Sequence, residues 1–222
     1  PSFFLFLNSL ILLSSKDLKF KHTYRTLIFL PAMMSIVIVG YLFNLILSNL
    51  WGIPQTILGV VGLEHLYQPW LGLKGPALIT ISLISIWQFV GIPMMLFYAA
   101  LLNIPDEILD AAKIDGSGPM TTFWFVKFPL ILPTVGLMVI LTYVGNYNAF
   151  DLIFAMKSLY AGPEYSTDLM GTFFYRTFFG FQMQLGNPTM GATVASTTFG
   201  IILLGVLIYL FAFQQRVTRY QY

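Results

Sequence analysis

Four long stretches of this chain carry no charged residue: between Arg25 and Glu64, Lys74 and Asp106, Lys127 and Asp151, and Arg176 and Arg216. A helix needs about 20 consecutive apolar residues to cross a bilayer, so each gap has room for at least one span. The spans are expected near 27–47, 76–102, 130–154 and 189–213. They are expected to be helical because backbone groups in lipid must be satisfied within their own segment. Residues 1–13 are equally apolar but too short to cross. The chain starts at Pro1 with no initiator methionine, and this stretch is read as the cytoplasmic end of a helix that begins earlier. The expected fold is an all-α, polytopic transmembrane helix bundle, N-terminally incomplete, forming a single domain over 1–222.

Composition agrees with the pattern. The chain is 57% hydrophobic, 17% aromatic and 9% charged, against about a quarter charged in a soluble domain. Its charges gather between the spans, and the loop 103–129 is the most structured of these polar segments. Pro105 suits a first helical turn, and Asp106 and Glu107 sit where the positive end of the helix dipole favours acids. Gly116 ends that helix, since a left-handed terminal residue is cheapest for glycine. Ser117 and Pro119 then start a second short helix. The small Ala111 and Ala112 leave a shallow surface that another protein can approach closely. If this loop is cytoplasmic, Lys16, Lys19, Lys21, Arg25, Lys113, Lys127, Arg216 and Arg219 lie inside, and only Lys74, Lys157 and Arg176 lie outside. That bias follows the positive-inside rule, so the net charge of +2 is a topology signal and not a sign of nucleic-acid binding.

The string Asp110-Ala111-Ala112, with Gly116 four residues after the second alanine and then Val126, Phe128 and Pro129, resembles the loop of the membrane subunits of binding-protein-dependent ABC importers. In that family the loop reads Glu-Ala-Ala, glycine, a hydrophobic residue and Leu-Pro. Asp110 replaces the glutamate, Val126 the usual isoleucine and Phe128 the leucine, which keeps charge or apolarity. Ile104-Pro105-Asp106-Glu107 through Ile114-Asp115-Gly116, with Pro129 and Pro133, is similar to the carbohydrate branch, the maltose and oligosaccharide permeases. The likeness runs from about Arg25 to the C-terminus. It implies a type I ABC importer permease fold in the bacterial inner membrane, with loop and C-terminus cytoplasmic. It also implies an ATPase-coupling role for Glu107, Asp110, Ala111, Ala112, Asp115, Gly116 and Pro129. The implied partners are a second, unlike permease subunit, two ATPase subunits carrying the ATP and magnesium, and an outer solute-binding protein. No cofactor is expected in this chain.

Polar groups inside spans are costly and raise a functional hypothesis first. Thr142, Tyr143, Asn146, Tyr147, Asn148 and Asp151 fall together, with four-residue spacings that form two adjacent stripes on one helix. Hydroxyls, amides and rings suit a sugar, whose hydroxyls need donors and acceptors and whose ring faces stack on aromatics. The resemblance points the same way: Asn146 and Asn148 match an Asn-aromatic-Asn run of the maltose-type permeases, and Trp87, beside Gln88, matches an aromatic lining the pathway. The alternative is that these groups only bond one another between helices. Two outer segments, Ser48–Gly75 and Lys157–Pro188, are expected to form short surface helices and a turn followed by an aromatic helix. Gly162-Pro163-Glu164-Tyr165-Ser166-Thr167-Asp168 with Tyr175-Arg176 resembles permeases of acidic or complex plant and algal oligosaccharides, including alginate, and Arg176 is the candidate charge partner for a uronate.

The sequence holds no phosphate-cradling Gly-x-x-x-x-Gly-Lys-Ser/Thr and no Gly-x-Gly-x-x-Gly, so energy must come from another chain. There is no cysteine, and His22 and His65 lie in separate loops, so neither a metal site nor a catalytic set is expected. The rival readings are an importer of a non-sugar solute and a membrane scaffold that conducts nothing.

Overall fold

Helix breaks govern this architecture, and most of them are written in proline, glycine or a polar side chain. The computed structural model describes residues 21–48, 53–63, 65 and 67–211. The apolar stretch 1–13, Trp51 and the C-terminal residues from 212 onward fall outside the described residues. The helices in chain order are α1 (Lys21–Phe29), α2 (Ile36–Ile46), α3 (Ile53–Val60), α4 (Lys74–Phe89), α5 (Gly91–Leu102), α6 (Asp106–Ile114), α7 (Pro119–Thr122), α8 (Phe128–Tyr147), α9 (Asp151–Lys157), α10 (Met170–Phe179) and α11 (Pro188–Tyr209). Two runs, Pro119–Tyr160 and Pro188–Tyr209, are long and apolar enough to cross a membrane, and α1 with α2 and α4 with α5 add two more if each bent pair is one span.

Three of the four expected spans are therefore interrupted. The first breaks at Met34 and Ser35, after a 3-10 turn over Leu30–Met33 that contains Pro31. The second breaks between Phe89 and Gly91, two residues before Pro93. In the third, α8 stops at Tyr147 and α9 starts at Asp151, so Asp151 opens a new helix and does not share a stripe with Tyr143 and Tyr147. A carboxylate there faces the positive end of a helix dipole. Gly116 closes α6 at φ +76°, with the Ser117 N–H bonded to the Ala112 carbonyl and the Gly116 N–H to that of Lys113. Pro119 is the first residue of α7, as the sequence suggested. A single π turn over Phe123–Lys127 joins α7 to α8: the Phe128 N–H reaches back five residues to the Phe123 carbonyl, just before Pro129, which has no N–H to give.

The segment after α9 holds one element that the sequence pattern did not announce. A small antiparallel hairpin pairs Gly180 with Leu185 and Phe181 with Gln184. Asn187 then caps α11, its side-chain oxygen accepting the Met190 N–H at 3.0 Å.

The described chain divides into two compact units. One takes the stretch up to Ala32, Phe89–Val144 and the stretch from Ile201. Its core is Phe97, Ile104, Phe123, Ile131 and Met138, flanked by Leu109 and Val135. Gly91 lets α5 lie on the α1 backbone: a Cβ there would sit 2.7 Å from the Ile28 carbonyl oxygen. The other unit takes Met33–Gln88 and Gly145–Gly200. Its core is Val39, Leu71, Ile81, Ile84, Leu152, Ile153, Met156 and Ala161. Here α2 packs on α9 through Gly40, whose added Cβ would fall 2.7 Å from the Ala155 Cβ. Small residues at such crossings let apolar helices meet closely where no hydrophobic effect drives them together.

Gly40→Leu should therefore force α2 from α9 and cost about 1–3 kcal/mol by overpacking. Gly145→Ala, where a new Cβ meets nothing within 4 Å, should be neutral or stabilising because alanine favours the helix. Thermal unfolding of the two variants in detergent, followed by tryptophan fluorescence, checks the contrast; equal midpoints would contradict it.

Candidate coupling loop and solute cleft

The polar loop is a firm element. Asp106 and Glu107 occupy the first turn of α6 and Lys113 the last, each at the dipole end that favours its charge. Ile104 and Phe123 bracket the helix and are buried in the same core as Phe97 of α5 and Ile131 of α8, with Leu109 packed against it. The loop is thus bolted to the two apolar helices on either side.

Outward from that anchor, Glu107, Asp110, Ala111 and Ile114 are all exposed. Their spacing of three, four and seven places them on one face. The stripe offers two carboxylates, a small residue and an isoleucine that is 87% exposed. Asp115 and Gly116 are exposed at its end, while Pro129 is half-buried at the start of α8. Ala112 corrects the expectation of a surface with two alanines: it is buried, because neighbouring helical residues point about 100° apart and only one can face a partner. Asp110 accepts a 2.6 Å ion pair from Lys113, with both side chains about two-thirds exposed at 63% and 66%. That hydrogen bond, then the Asp110 charge, raises the Lys113 pKa above its ordinary 10.5. The contribution is therefore present below 10.5, is lost only as pH rises through the raised value, and stays constant across the neutral range.

The candidate path residues do not act as one group. Asn146 and Tyr147 line a cleft of about 450 Å3 together with Asp168, Leu169, Met170 and Phe173. Asn148 is exposed just beyond α8, and Thr142 is exposed one turn earlier. Tyr143 instead turns to α11: its hydroxyl donates to the Ile201 carbonyl at 2.9 Å, and its ring occupies the space that a Cβ on Gly205 would need. Trp87 is partly exposed, with its ring edge-on to Phe43 at 5.3 Å. Gln88 departs from the expectation of a solute contact. It is 1% exposed, and its amide N–H donates to the Met34 carbonyl at 3.2 Å.

Arg176 also departs from its expected role. The side chain is 8% exposed. It forms a 2.6 Å ion pair with Asp168, donates to the Leu159 carbonyl at 3.0 Å, and lies 4.6 Å from the centre of the Tyr165 ring. A guanidinium so enclosed has no face left for a uronate. Asp168 in turn accepts from the Thr172 hydroxyl at 2.6 Å, and that hydroxyl receives the Leu169 N–H at 2.9 Å. The cleft wall from α10 is therefore tied by a largely buried network of one ion pair and several hydrogen bonds. Leu169, Met170 and Phe173 are cleft residues that sequence reasoning missed, and Asp168 was singled out there only as part of the Gly162–Asp168 string. The only signal was Asp168 and Thr172 flanking the start of an aromatic helix, a capping pattern with nothing to mark it as a wall.

A polytopic helical membrane protein with an exposed polar loop between its apolar helices is the class these features define. The chain belongs to the family of binding-protein-dependent transport system inner membrane components, whose family model matches residues 2–219. It is 33% identical over 185 residues to the multiple sugar-binding transport system permease protein MsmF of Streptococcus mutans, covering 83% of this chain and 62% of that protein. It is 32% identical over 145 residues to the arabinooligosaccharides transport system permease protein AraP of Halalkalibacterium halodurans, covering 64% of this chain and 44% of that one. The chain thus spans roughly half of the length of these curated relatives. Its fold matches a chain in the crystal structure of a bacterial alginate ABC transporter in complex with alginate pentasaccharide-bound periplasmic protein, with a TM-score of 0.73 and 23% identity over 93% of this chain and 68% of that chain.

The two ion pairs should differ sharply in worth. Asp168→Ala leaves a buried guanidinium without its partner and should destabilise the protein by about 3–5 kcal/mol. Asp110→Ala removes an exposed pair and should cost less than about 1 kcal/mol. Thermal melts of both variants in the same detergent decide; comparable losses would mean that the Arg176 network is more solvated than its geometry shows.

Proposed function

We propose that this chain is the permease subunit of an ATP-driven importer for a sugar or oligosaccharide handed over by a solute-binding protein. The observation that carries the reading is the outward stripe Glu107, Asp110, Ala111 and Ile114, held rigid by the Phe123 core. A surface of acids, a small residue and one protruding isoleucine is built to seat in a cleft of another protein. That protein would be one of two ATPase subunits, which hold the ATP and magnesium, with this chain supplying shape and no catalysis. Closure of the ATPase pair would move the loop as a rigid body and, through Phe123 and Ile131, the apolar helices above it. The loop and the C-terminus would face the cytoplasm, and a second, unlike permease subunit would complete the pathway.

The solute class rests on the cleft at the end of α8 and on the relatives' names, which speak of sugars and arabinooligosaccharides. The amide of Asn146, Tyr147, Phe173 and the edge of Asp168 suit hydroxyls and a ring face. With Arg176 neutralised inside the protein, this cleft recognises the sugar's hydroxyls and not a charge on it. That weighs against a direct uronate contact from this chain while leaving an oligosaccharide as the cargo.

Gly116→Pro imposes φ near −65° where +76° is needed. In the assembled transporter in lipid, this change should abolish stimulation of ATP hydrolysis by sugar-loaded binding protein. Asn146→Ala should keep the ATPase coupled but lower sugar uptake by about three- to tenfold, the worth of one lost hydrogen bond. Hydrolysis that ignores both the sugar and Gly116→Pro, or the absence of any co-purifying ATPase, would move the non-conducting scaffold to the front. Stimulation by a different loaded binding protein would reassign the solute.

A further inference from the structure

We propose a phospholipid site between α2 and α9, with the Lys157 ammonium as its phosphate anchor. The close crossing of Gly40 and Ala155 draws the two helices together, and beside it a second cleft opens, about 540 Å3 in volume. Its lining is divided by chemistry: Leu71 and Phe154 are apolar, while Tyr41, Asn44, Lys157 and Tyr160 present hydroxyl, amide and ammonium groups. An apolar slot with a polar, cationic end matches an amphiphile, and a free sugar or a free ion would leave half of it unused.

The cation lacks an acid. Lys157 donates to the Leu71 carbonyl, which engages one of its three N–H groups, and no carboxylate of the described residues forms an ion pair with it. The acids around it are committed elsewhere or turned away. Glu164 pairs with Lys74 at 2.9 Å, Asp168 pairs with Arg176, and Asp151 lies exposed at the opposite end of α9. A half-buried ammonium in an apolar setting is costly unless it is paired, so charge complementarity calls for an anion from outside the chain.

The surroundings say which anion. Val37, Ile38, Tyr41 and Leu45 of α2 and Phe154 of α9 are exposed apolar side chains, and in an inner-membrane component these faces meet lipid tails. A phospholipid satisfies every wall at once. Its acyl chain lies on Phe154 and the neighbouring exposed apolar side chains, its phosphate meets Lys157, and its ester and headgroup oxygens meet Tyr41, Asn44 and Tyr160. A lysine at a helix end is suited to this, since its stem can run along apolar surface while its ammonium reaches the interface.

The test is native mass spectrometry of the complete transporter, released from detergent after titration with phosphatidylglycerol or with diacylglycerol of identical chains. Wild-type protein should retain phosphatidylglycerol at least tenfold better than diacylglycerol. Lys157→Gln should remove that preference, whereas Lys74→Gln, which alters a nearby surface cation, should keep it. The wild-type comparison needs no variant, so it stands even if Lys157→Gln folds poorly. Equal retention of the two lipids, or a preference unchanged in a folded Lys157→Gln protein, overturns the proposal. Displacement of the bound lipid by millimolar inorganic phosphate, or by an oligouronate, also overturns it, because the site would then be one for a soluble anion.

Discussion

In lipid, a backbone carbonyl or N–H that leaves its helix must find another partner within the protein, and this constraint shapes the chain at each of its breaks. Where α1 gives way to α2, the helix restarts only at Ile36, and the Met34 carbonyl is met by the amide of Gln88, more than fifty residues further on. The donor is the side-chain amide of a buried glutamine, whose own Oε1 is buried without a partner. The end of α6 lies in the exposed polar loop outside the spans, and there the helix's last carbonyls are met locally, by the Gly116 and Ser117 N–H groups folding back on Lys113 and Ala112. Before α8 the demand is answered by widening one turn so that the Phe128 N–H reaches the Phe123 carbonyl. Each solution fixes the direction of the next helix, so the breaks are joints with defined geometry.

What could be read from sequence follows from how local the chemistry is. The ends of α6 and the start of α7 were legible because Pro105, Asp106, Glu107, Gly116 and Pro119 act on their own turn. The apolar spans were legible because charge is excluded over some twenty residues at a time. Their interruptions at Ser35 and Asn148 were less so, since a single proline or polar side chain weakens a helix without fixing where it stops. The facing of Ala112, the burial of Gln88 and the pairing of Arg176 with Asp168 all depend on contacts between elements, and apolar composition cannot supply them. In a soluble protein a polar stripe shows which face is out; here both lipid and core want the same residues, so α11 is nearly all apolar yet buries only Gly191. Only the small residues betray the crossings: Gly40 against Ala155, Gly91 against α1, Gly205 beneath Tyr143.

Charge pairing is not what holds the 103–129 loop in place. The ion pair of Asp110 with Lys113 is exposed and worth little. Firmness comes instead from Phe123, Ile104 and Leu109 in a core shared with α5 and α8. A loop held by charge would yield to a partner's pull, whereas one held by packed apolar groups transmits displacement, because close-packed interiors deform little. The acids lie on the outer, exposed face, while the inner face is packed into the core.

The network behind the cleft of Asn146 and Tyr147 shows the same separation of charge from packed support. Asp168 is tied by Arg176 and Thr172, and Arg176 is tied further by the Leu159 carbonyl and the Tyr165 ring. The pair therefore contributes no net charge to the cleft, and its rigidity holds Phe173 opposite Asn146 and Tyr147. Enclosed by Asp168, the Leu159 carbonyl and the Tyr165 ring, the Arg176 guanidinium acts as a support of the cleft wall, and the groups left facing the cleft are an amide, rings and the edge of one carboxylate.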